Sequence, residues 1–187
     1  LGLNKKFKTN GNSGLKKWVS RTSVKSKQKP LLIGIAGKYT GSSDTYISIL
    51  KALEHCSFAI NRRIRVKWVE TSKIENSADV RKALKTVDGV IVPGGFGVRG
   101  IEGKIAVARY CRENNVPYLG LCLGFQVALI EFARNVLGLR GANSTEFDPK
   151  TSHPVIDILP EQKKIEGLGG TMRLGGRNVE LKEGTLA

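Results

Sequence analysis

Residues 118–138 read "YLGLCLGFQVALIEFARNVLG". A short apolar run gives way there to a helical pattern, with Val127, Ile130, Ala133 and Leu137 on one face and Gly138 near the end. At the junction a lone cysteine, Cys122, stands in the frame Gly-Leu-Cys-Leu-Gly. Flanking glycines let a strand and the next helix approach closely, which leaves the residue between them on a strained turn at the helix N-terminus. The positive end of the helix dipole favours a thiolate over a thiol at such a place. Most free cysteines are small buried hydrophobes, and Cys56 and Cys111, inside helical segments, keep that reading. Cys122, at a strand-to-helix elbow, reads instead as a nucleophile. The N–H of Leu123 then points toward a tetrahedral oxyanion, and a second donor, Gly95, is available from "PGGFGVRG" at 93–100.

Working outward, "LLIGIAG" (31–37), "IRVKWVE" (64–70), "DGVIVPGG" (88–95) and "VPYLGLC" (116–122) read as strands. Helical patterns fall between them, over 42–60, 77–87 and 102–114, and Ser43 or Asp44 can cap the first. Strands alternating with helices imply right-handed β-α-β units, hence an α/β fold with an open, doubly wound, mostly parallel sheet and flanking helices, flavodoxin-like or Rossmann-like. Ligands in such sheets bind at the carboxyl ends of the strands, where both glycine turns lie. Beyond Ala142 the pattern loosens, and only "PVIDIL" is strand-like.

The formal charge of +15 suggests an anionic partner, but nine Lys/Arg and no acid lie within residues 1–29. The Lys/Ser/Asn/Gly-rich segment 1–30 reads as a basic linker or tail, disordered for want of a core of its own. It lacks the aromatic interleaving of a nucleic-acid arm, since Phe7 and Trp18 stand alone. No run approaches the ~18–20 apolar residues of a membrane helix. Three cysteines without metal-ligand spacing argue for free thiols, no metal site and a cytoplasmic location. "GIAGKYT" has the wrong spacing for a phosphate-binding loop, and "GFGVRG" comes too late in the chain for a dinucleotide fingerprint.

"GKYTGSSDTYISILKALEH", "VPGGFGVRGIEGK", "PYLGLCLGFQVALIEFARNVLG", "ANSTEFDPKTSHPVIDILPE" and "GGTMRLG" together resemble the glutamine amidotransferase domain of the CTP synthase family, which is of the class I (triad) type. The likeness runs from about residue 31 to about residue 175, so 31–187 is expected to be that domain and 1–30 the end of a linker from an amidoligase domain. The resemblance implies that Cys122 attacks the side-chain amide of L-glutamine to form a thioester, with the Gly95 and Leu123 N–H groups as oxyanion hole. It implies that Gly124, Gln126 and Glu146 contribute to the glutamine pocket, with Phe125 lining it where the family has Met. It further implies that Phe96, Arg99, Gly100 and Glu102 lie on a loop responding to GTP as activator, with Lys38 and Tyr39 near the interdomain face. The whole enzyme is expected to aminate UTP with ATP and Mg, as a homo-oligomer built through the amidoligase half.

The resemblance also raises a difficulty. The family's base is a His in a His-Pro-Glu motif, whereas this sequence holds only His55 and His153, the latter in "TSHPV", and stops at "KEGTLA". The chain is then either a piece of a working domain or a natural truncation, and these 187 residues alone are expected to hydrolyse glutamine poorly. A sheet short of its last strands is expected to expose an edge. Two readings from other classes remain: a non-catalytic regulatory or binding module, and a basic nucleic-acid-binding module driven by residues 1–29.

Overall fold

The computed structural model describes residues 12–22, 24–40, 43–158, 178 and 180–185. The "GGTMRLG" stretch lies outside them. Four strands, β1 (Leu31–Gly37), β2 (Ile64–Glu70), β3 (Gly89–Val92) and β4 (Tyr118–Gly120), form one parallel sheet in the order β2-β1-β3-β4. The connecting helices are α2 (Ile47–Ala59), α3 (Ser77–Leu84) and α4 (Ile101–Glu113), and α5 (Leu123–Asn135) follows β4. Winding reverses at β1, and right-handed crossovers then place α2 on the face opposite α3, α4 and α5. The sheet is the open, doubly wound parallel one that the alternating pattern predicts.

Two of these elements follow the sequence closely. The strand β2 spans the alternating run "IRVKWVE", and β1 pairs with it in register from Leu31 opposite Ile64 to Gly37 opposite Glu70. The start of α3 is set by a reciprocal cap: Asn76 Oδ1 accepts from the N–H groups of Ala78 and Asp79, while Asp79 Oδ2 accepts from the Asn76 N–H. At α2 the reading differs. Ser43–Tyr46 forms a 3-10 turn, and Tyr46 is the N-cap residue with no side-chain capping bond, so neither Ser43 nor Asp44 caps that helix. In α5, Val127, Ile130 and Ala133 are buried as expected, but Leu137 is 60% exposed, because the helix stops at Asn135 and the chain turns at Gly138 with φ 71°.

Before β1, in the segment read as a disordered tail, the structure describes a helix, α1 (Asn12–Arg21). Leu15, Trp18 and Val19 recur on it at helical spacing, and Trp18 borders a hollow with Thr22 and with His55 and Phe58 of α2. The Lys25 N–H then donates to Asn61 Oδ1 and Arg62 Nε donates to the Lys29 carbonyl, which ties the segment to the turn before β2. A strand that the sequence did not signal, β5 (Asn143–Ser144), pairs in parallel with β6 (Pro154–Ile156) in a separate small sheet. Two residues carry no period; a partner strand about ten residues further along the chain supplies the pairing.

The main core lies between the sheet and α3–α5, built from Ala36, Val69, Val80, Leu84, Val90, Val92, Ile105, Val107, Leu123, Val127 and Ile130. An ion pair joins α4 to α5 at its edge. Arg112 Nε and Nη2 donate to Glu131 Oε2 and Oε1 at 2.9 and 2.7 Å, and Asn135 Nδ2 adds a bond of 3.1 Å to Oε1. Glu131 is 2% exposed, so its carboxylate depends on that guanidinium for compensation. Among the described residues β4 pairs only with β3, leaving Leu119 half exposed on an edge strand. No helix among the described residues is long and apolar enough to cross a membrane. Arg112→Leu, which strands a buried carboxylate, is expected to lower stability in urea denaturation by about 3 kcal/mol, and Arg112→Leu/Glu131→Leu to recover most of the loss. A double variant as unstable as the single one would place the loss in packing rather than in the unpaired charge.

Candidate active site

The winding reversal opens a crevice at the carboxyl ends of β1 and β3, next to the end of β4. Three segments meet there: Lys38 after β1, the turn 93–97 after β3, and the elbow 121–123 after β4. Cys122 is the N-cap residue of α5 and has φ 53° and ψ −110°, one of three non-glycine residues with positive φ among those described. Holding a side chain in that region costs on the order of 1–3 kcal/mol, so the surroundings must impose it.

They do so through two glycines. A Cβ on Gly124 would stand 1.9 Å from the Val92 carbonyl oxygen, and one on Gly120 would stand 2.5 Å from the Gly124 carbonyl carbon and the Phe125 nitrogen. Backbone therefore touches backbone where β3, β4 and α5 converge. Tyr118, on β4, donates its hydroxyl to the Gly124 carbonyl at 2.6 Å, and burial pushes its phenol pKa up, keeping that donor protonated. The Leu121 N–H donates to the Val92 carbonyl at 2.9 Å. The Cys122 carbonyl accepts from Phe125 and Gln126, while its side chain is exposed at the crevice.

The expected oxyanion donors come to the same place. A Cβ on Gly94 would lie 3.5 Å from Cys122 Cβ, so the turn after β3 abuts the cysteine, and one on Gly95 would lie 3.7 Å from a methyl of Leu123. Neither the Gly95 nor the Leu123 N–H has an acceptor among the described residues, and at the first position of a helix none is available within the helix. Glu146, in the turn after β5, reaches the same loop: its Oε1 accepts from the Gly97 N–H at 3.2 Å. Gln126 is half-buried on the first turn of α5, and Phe125 beside it is 58% exposed.

The loop residues of the activator reading divide into two groups. Phe96 is exposed, and Arg99 lies over the Tyr39 ring, its Nη2 donating to the Lys38 carbonyl at 3.2 Å. Gly100 instead caps α4 with φ 77° and packs on Thr71, and the Glu102 carboxylate takes Arg134 Nη1 at 2.9 and 3.0 Å. Of the two histidines, His55 is exposed on α2, and His153 serves β6 through its backbone. Among the described residues neither donates to or accepts from Cys122.

Two lysines complete the crevice: Lys104, to which the sequence reading gave no role, and Lys38, which it placed only near an interdomain face. Lys104, on the first turn of α4, is 1% exposed and donates from Nζ to the Pro93 carbonyl at 2.9 Å. Lys38, 7% exposed, donates to the Phe96 carbonyl. No carboxylate pairs with either among the described residues. Burial pushes the Lys104 pKa down to about 8, the Lys38 charge adds to that, and a Cys122 thiolate opposes it. A signal for Lys104 did exist in the sequence, because it falls in the apolar stripe Ile101, Ile105, Ala108 where a helix faces the core.

A model of the family "Glutamine amidotransferase class-I" matches residues 42–186. A CTP synthase of Thermus thermophilus is 56% identical over 163 residues, which cover 87% of this chain and 30% of that protein. The CTP synthase of Staphylococcus carnosus is 52% identical over 190 residues, covering all of this chain and 34% of that protein. The chain thus spans about a third of the length of these relatives. Among solved structures, the Trypanosoma brucei CTPS glutaminase domain with bound acivicin is similar, with TM-score 0.66 and 44% identity over 71% of this chain and 51% of that one.

The buried Lys104 has a consequence for stability. Its native pKa of about 8 lies below the 10.5 of an ordinary lysine, so between those values the unfolded chain binds more protons than the native one. Its destabilising contribution is full below pH 8 and disappears as the pH rises toward 10.5. We expect Lys104→Met to be more stable than the parent at pH 7 in urea denaturation, the difference shrinking from about pH 8 to about pH 10. A constant difference would show that Lys104 does not titrate in this window.

Proposed function

The chain belongs to the class-I glutamine amidotransferase family, and on that premise we propose that it is the glutamine-hydrolysing part of a CTP synthase. The observation that carries this reading is Cys122, held at φ 53° on a glycine-enforced elbow beside two backbone N–H groups without acceptors among the described residues. The Cys122 sulfur adds to the side-chain amide carbon of glutamine, and the carbonyl oxygen becomes an oxyanion taken up by the Gly95 and Leu123 N–H groups. The C–N bond then breaks, the nitrogen leaves as ammonia after gaining a proton, and a γ-glutamyl thioester remains on Cys122. Water adds to that thioester through a second oxyanion, and C–S cleavage returns the thiol and glutamate. One oxyanion donor of this kind is worth about 10²–10³ in rate.

Glu146 supplies a carboxylate for the ammonium end of glutamine, Gln126 a side-chain amide for its polar end, Gly124 the close approach of backbone, and Phe125 an apolar wall. The ammonia passes to an amidoligase partner that aminates UTP to CTP with ATP and Mg, and residues 1–30 form the linker toward it, 31–187 being the amidotransferase domain. GTP acts as activator at the loop 96–102, where exposed Phe96 and Arg99 offer an aromatic face and a guanidinium, groups that a purine nucleoside triphosphate takes. Gly100 and Glu102 act there through the loop's shape, since both are engaged within the chain. The whole enzyme is a cytoplasmic homo-oligomer.

Intact mass after exposure to 6-diazo-5-oxo-norleucine tests the glutamine site. We expect one adduct, absent from Cys122→Ala; no adduct on a folded chain, or an adduct that survives the substitution, overturns the assignment of Cys122. Steady hydrolysis needs in addition a base and a proton donor, which neither His55 nor His153 supplies to Cys122 among the described residues. Residues 1–187 as a separate polypeptide are therefore expected to release glutamate from glutamine at least about 10³-fold more slowly than an amidotransferase with a complete triad. Equal rates in an ammonia-release assay would show that the base lies within this sequence.

A further inference from the structure

Two buried ammonium groups grip the turn that presents the Gly95 N–H. Lys104 Nζ, from α4, takes the Pro93 carbonyl at 2.9 Å, and Lys38 Nζ, from the end of β1, takes the Phe96 carbonyl. The two carbonyls stand one on each side of Gly94-Gly95. A Cβ placed on Gly95 would lie 3.8 Å from Lys104 Nζ and 3.9 Å from Lys38 Cε, so the pair lies against the glycine. A peptide group carries its carbonyl and its N–H on opposite sides, so the lysines fix the planes of the Pro93–Gly94 and Phe96–Gly97 peptides, which bracket the Gly94–Gly95 peptide whose N–H belongs to Gly95. Glycines at 94 and 95 leave this turn free to adopt the flipped arrangement, in which a carbonyl rather than an N–H would face Cys122.

We propose that Lys104, with Lys38, is a positioning residue of the reaction: the pair holds the peptides on both sides of Gly94-Gly95 and so restrains the flip between them, which keeps the Gly95 N–H aimed at the oxyanion formed on the Cys122 adduct. A structural role alone accounts poorly for these lysines. Lys104 is 1% exposed, has no carboxylate partner among the described residues, and sits beside a second cation, an arrangement that burdens the fold. Lys104 cannot be read as a salt-bridge anchor, and Met would fill its place in the core without a charge. Its one strong contact is with the turn that the chemistry uses. The groups facing its ammonium from the elements packed on it are the Pro93 carbonyl, the Lys38 ammonium and the Cys122 thiol.

This inference rests on the glutaminase reading, and two reagents separate its failure from the failure of that reading. The γ-(4-nitrophenyl) ester of glutamate acylates a thiolate through a tetrahedral oxyanion: the C–S bond forms, the C–O bond breaks, and 4-nitrophenolate leaves without needing a proton from the protein. Iodoacetamide alkylates the same sulfur by displacing iodide, with no oxyanion to stabilise. Rates of both on Cys122, followed by peptide mass mapping because Cys56 is exposed as well, are compared on the full 187-residue chain for the parent, Lys104→Met and Lys104→Arg, alongside their Tm. We expect Lys104→Met to lower the ratio of the acylation rate to the alkylation rate by about 10-fold or more, as the loss of one aligned donor does, with Tm unchanged or raised, since a changed charge beside the sulfur affects both reactions alike. Lys104→Arg, which retains a donor for the Pro93 carbonyl, is expected to acylate faster than Lys104→Met. A parental ratio in Lys104→Met overturns the positioning role, as does an Arg variant no faster than Met. Acylation and alkylation falling together with a lower Tm reduces Lys104 to a structural residue. A parent chain that iodoacetamide alkylates but the ester does not acylate overturns the glutaminase reading, and this inference with it.

Discussion

The contact between the Val92 carbonyl and the α-carbon of Gly124 governs this structure. Helix α5 starts so close to β3 that no side chain fits between them, and Gly120 meets the same helix turn from β4. With backbone on backbone, the three residues between the two glycines are confined, and Cys122, the middle one, takes φ 53°. Strain at that residue is sustained by what surrounds it: the Tyr118 hydroxyl on the Gly124 carbonyl, the Leu121 N–H on Val92, and the fully buried Val127 and Ile130 that seat the helix. The same contact carries the exposed thiol to the crevice and leaves the first N–H of the helix pointing out of it.

Electrostatics at the crevice come from unusual sources. The described part of the site holds no histidine beside the cysteine and no carboxylate paired with the lysines, so its positive character rests on one helix terminus and two buried ammonium groups. Those groups bond to carbonyls of the glycine turn rather than to acids. Acids nearby are engaged elsewhere: Glu102 with Arg134, Glu131 with Arg112, and Glu146 with the Gly97 N–H. A site built this way suits a reaction in which negative charge develops on an oxygen, and the fold carries the burden of holding uncompensated cations.

Legibility varied with the kind of signal. The boundaries of β1 and β2 were readable from "LLIGIAG" and "IRVKWVE", because alternation and apolar runs are local. The Gly-Leu-Cys-Leu-Gly frame announced the elbow because only glycine tolerates the contacts that an elbow requires. Other features depended on partners distant in the chain. The two-residue β5 exists only because β6 lies beside it, α2 begins later than a cap at Ser43 or Asp44 would place it, and Leu137 is exposed because the helix ends before reaching it. Helix α1 lies in a segment whose composition argued against a core, since Leu15, Trp18 and Val19 are too few to show above its lysines.

The sequence by itself determined the class of fold and the glycine-flanked turn at Cys122, since periodicity and glycine spacing are properties of neighbouring residues. It determined the family as well, through motifs whose spacing the family model matches over residues 42–186. Only the tertiary structure decided that Lys38 and Lys104, far apart in the chain, close on one glycine turn, and that Glu146 meets Gly97 across it. A buried lysine looks in sequence like any surface lysine. Its meaning depends on the dielectric around it and the carbonyl opposite it, and both are set by how β1, β3 and α4 come together.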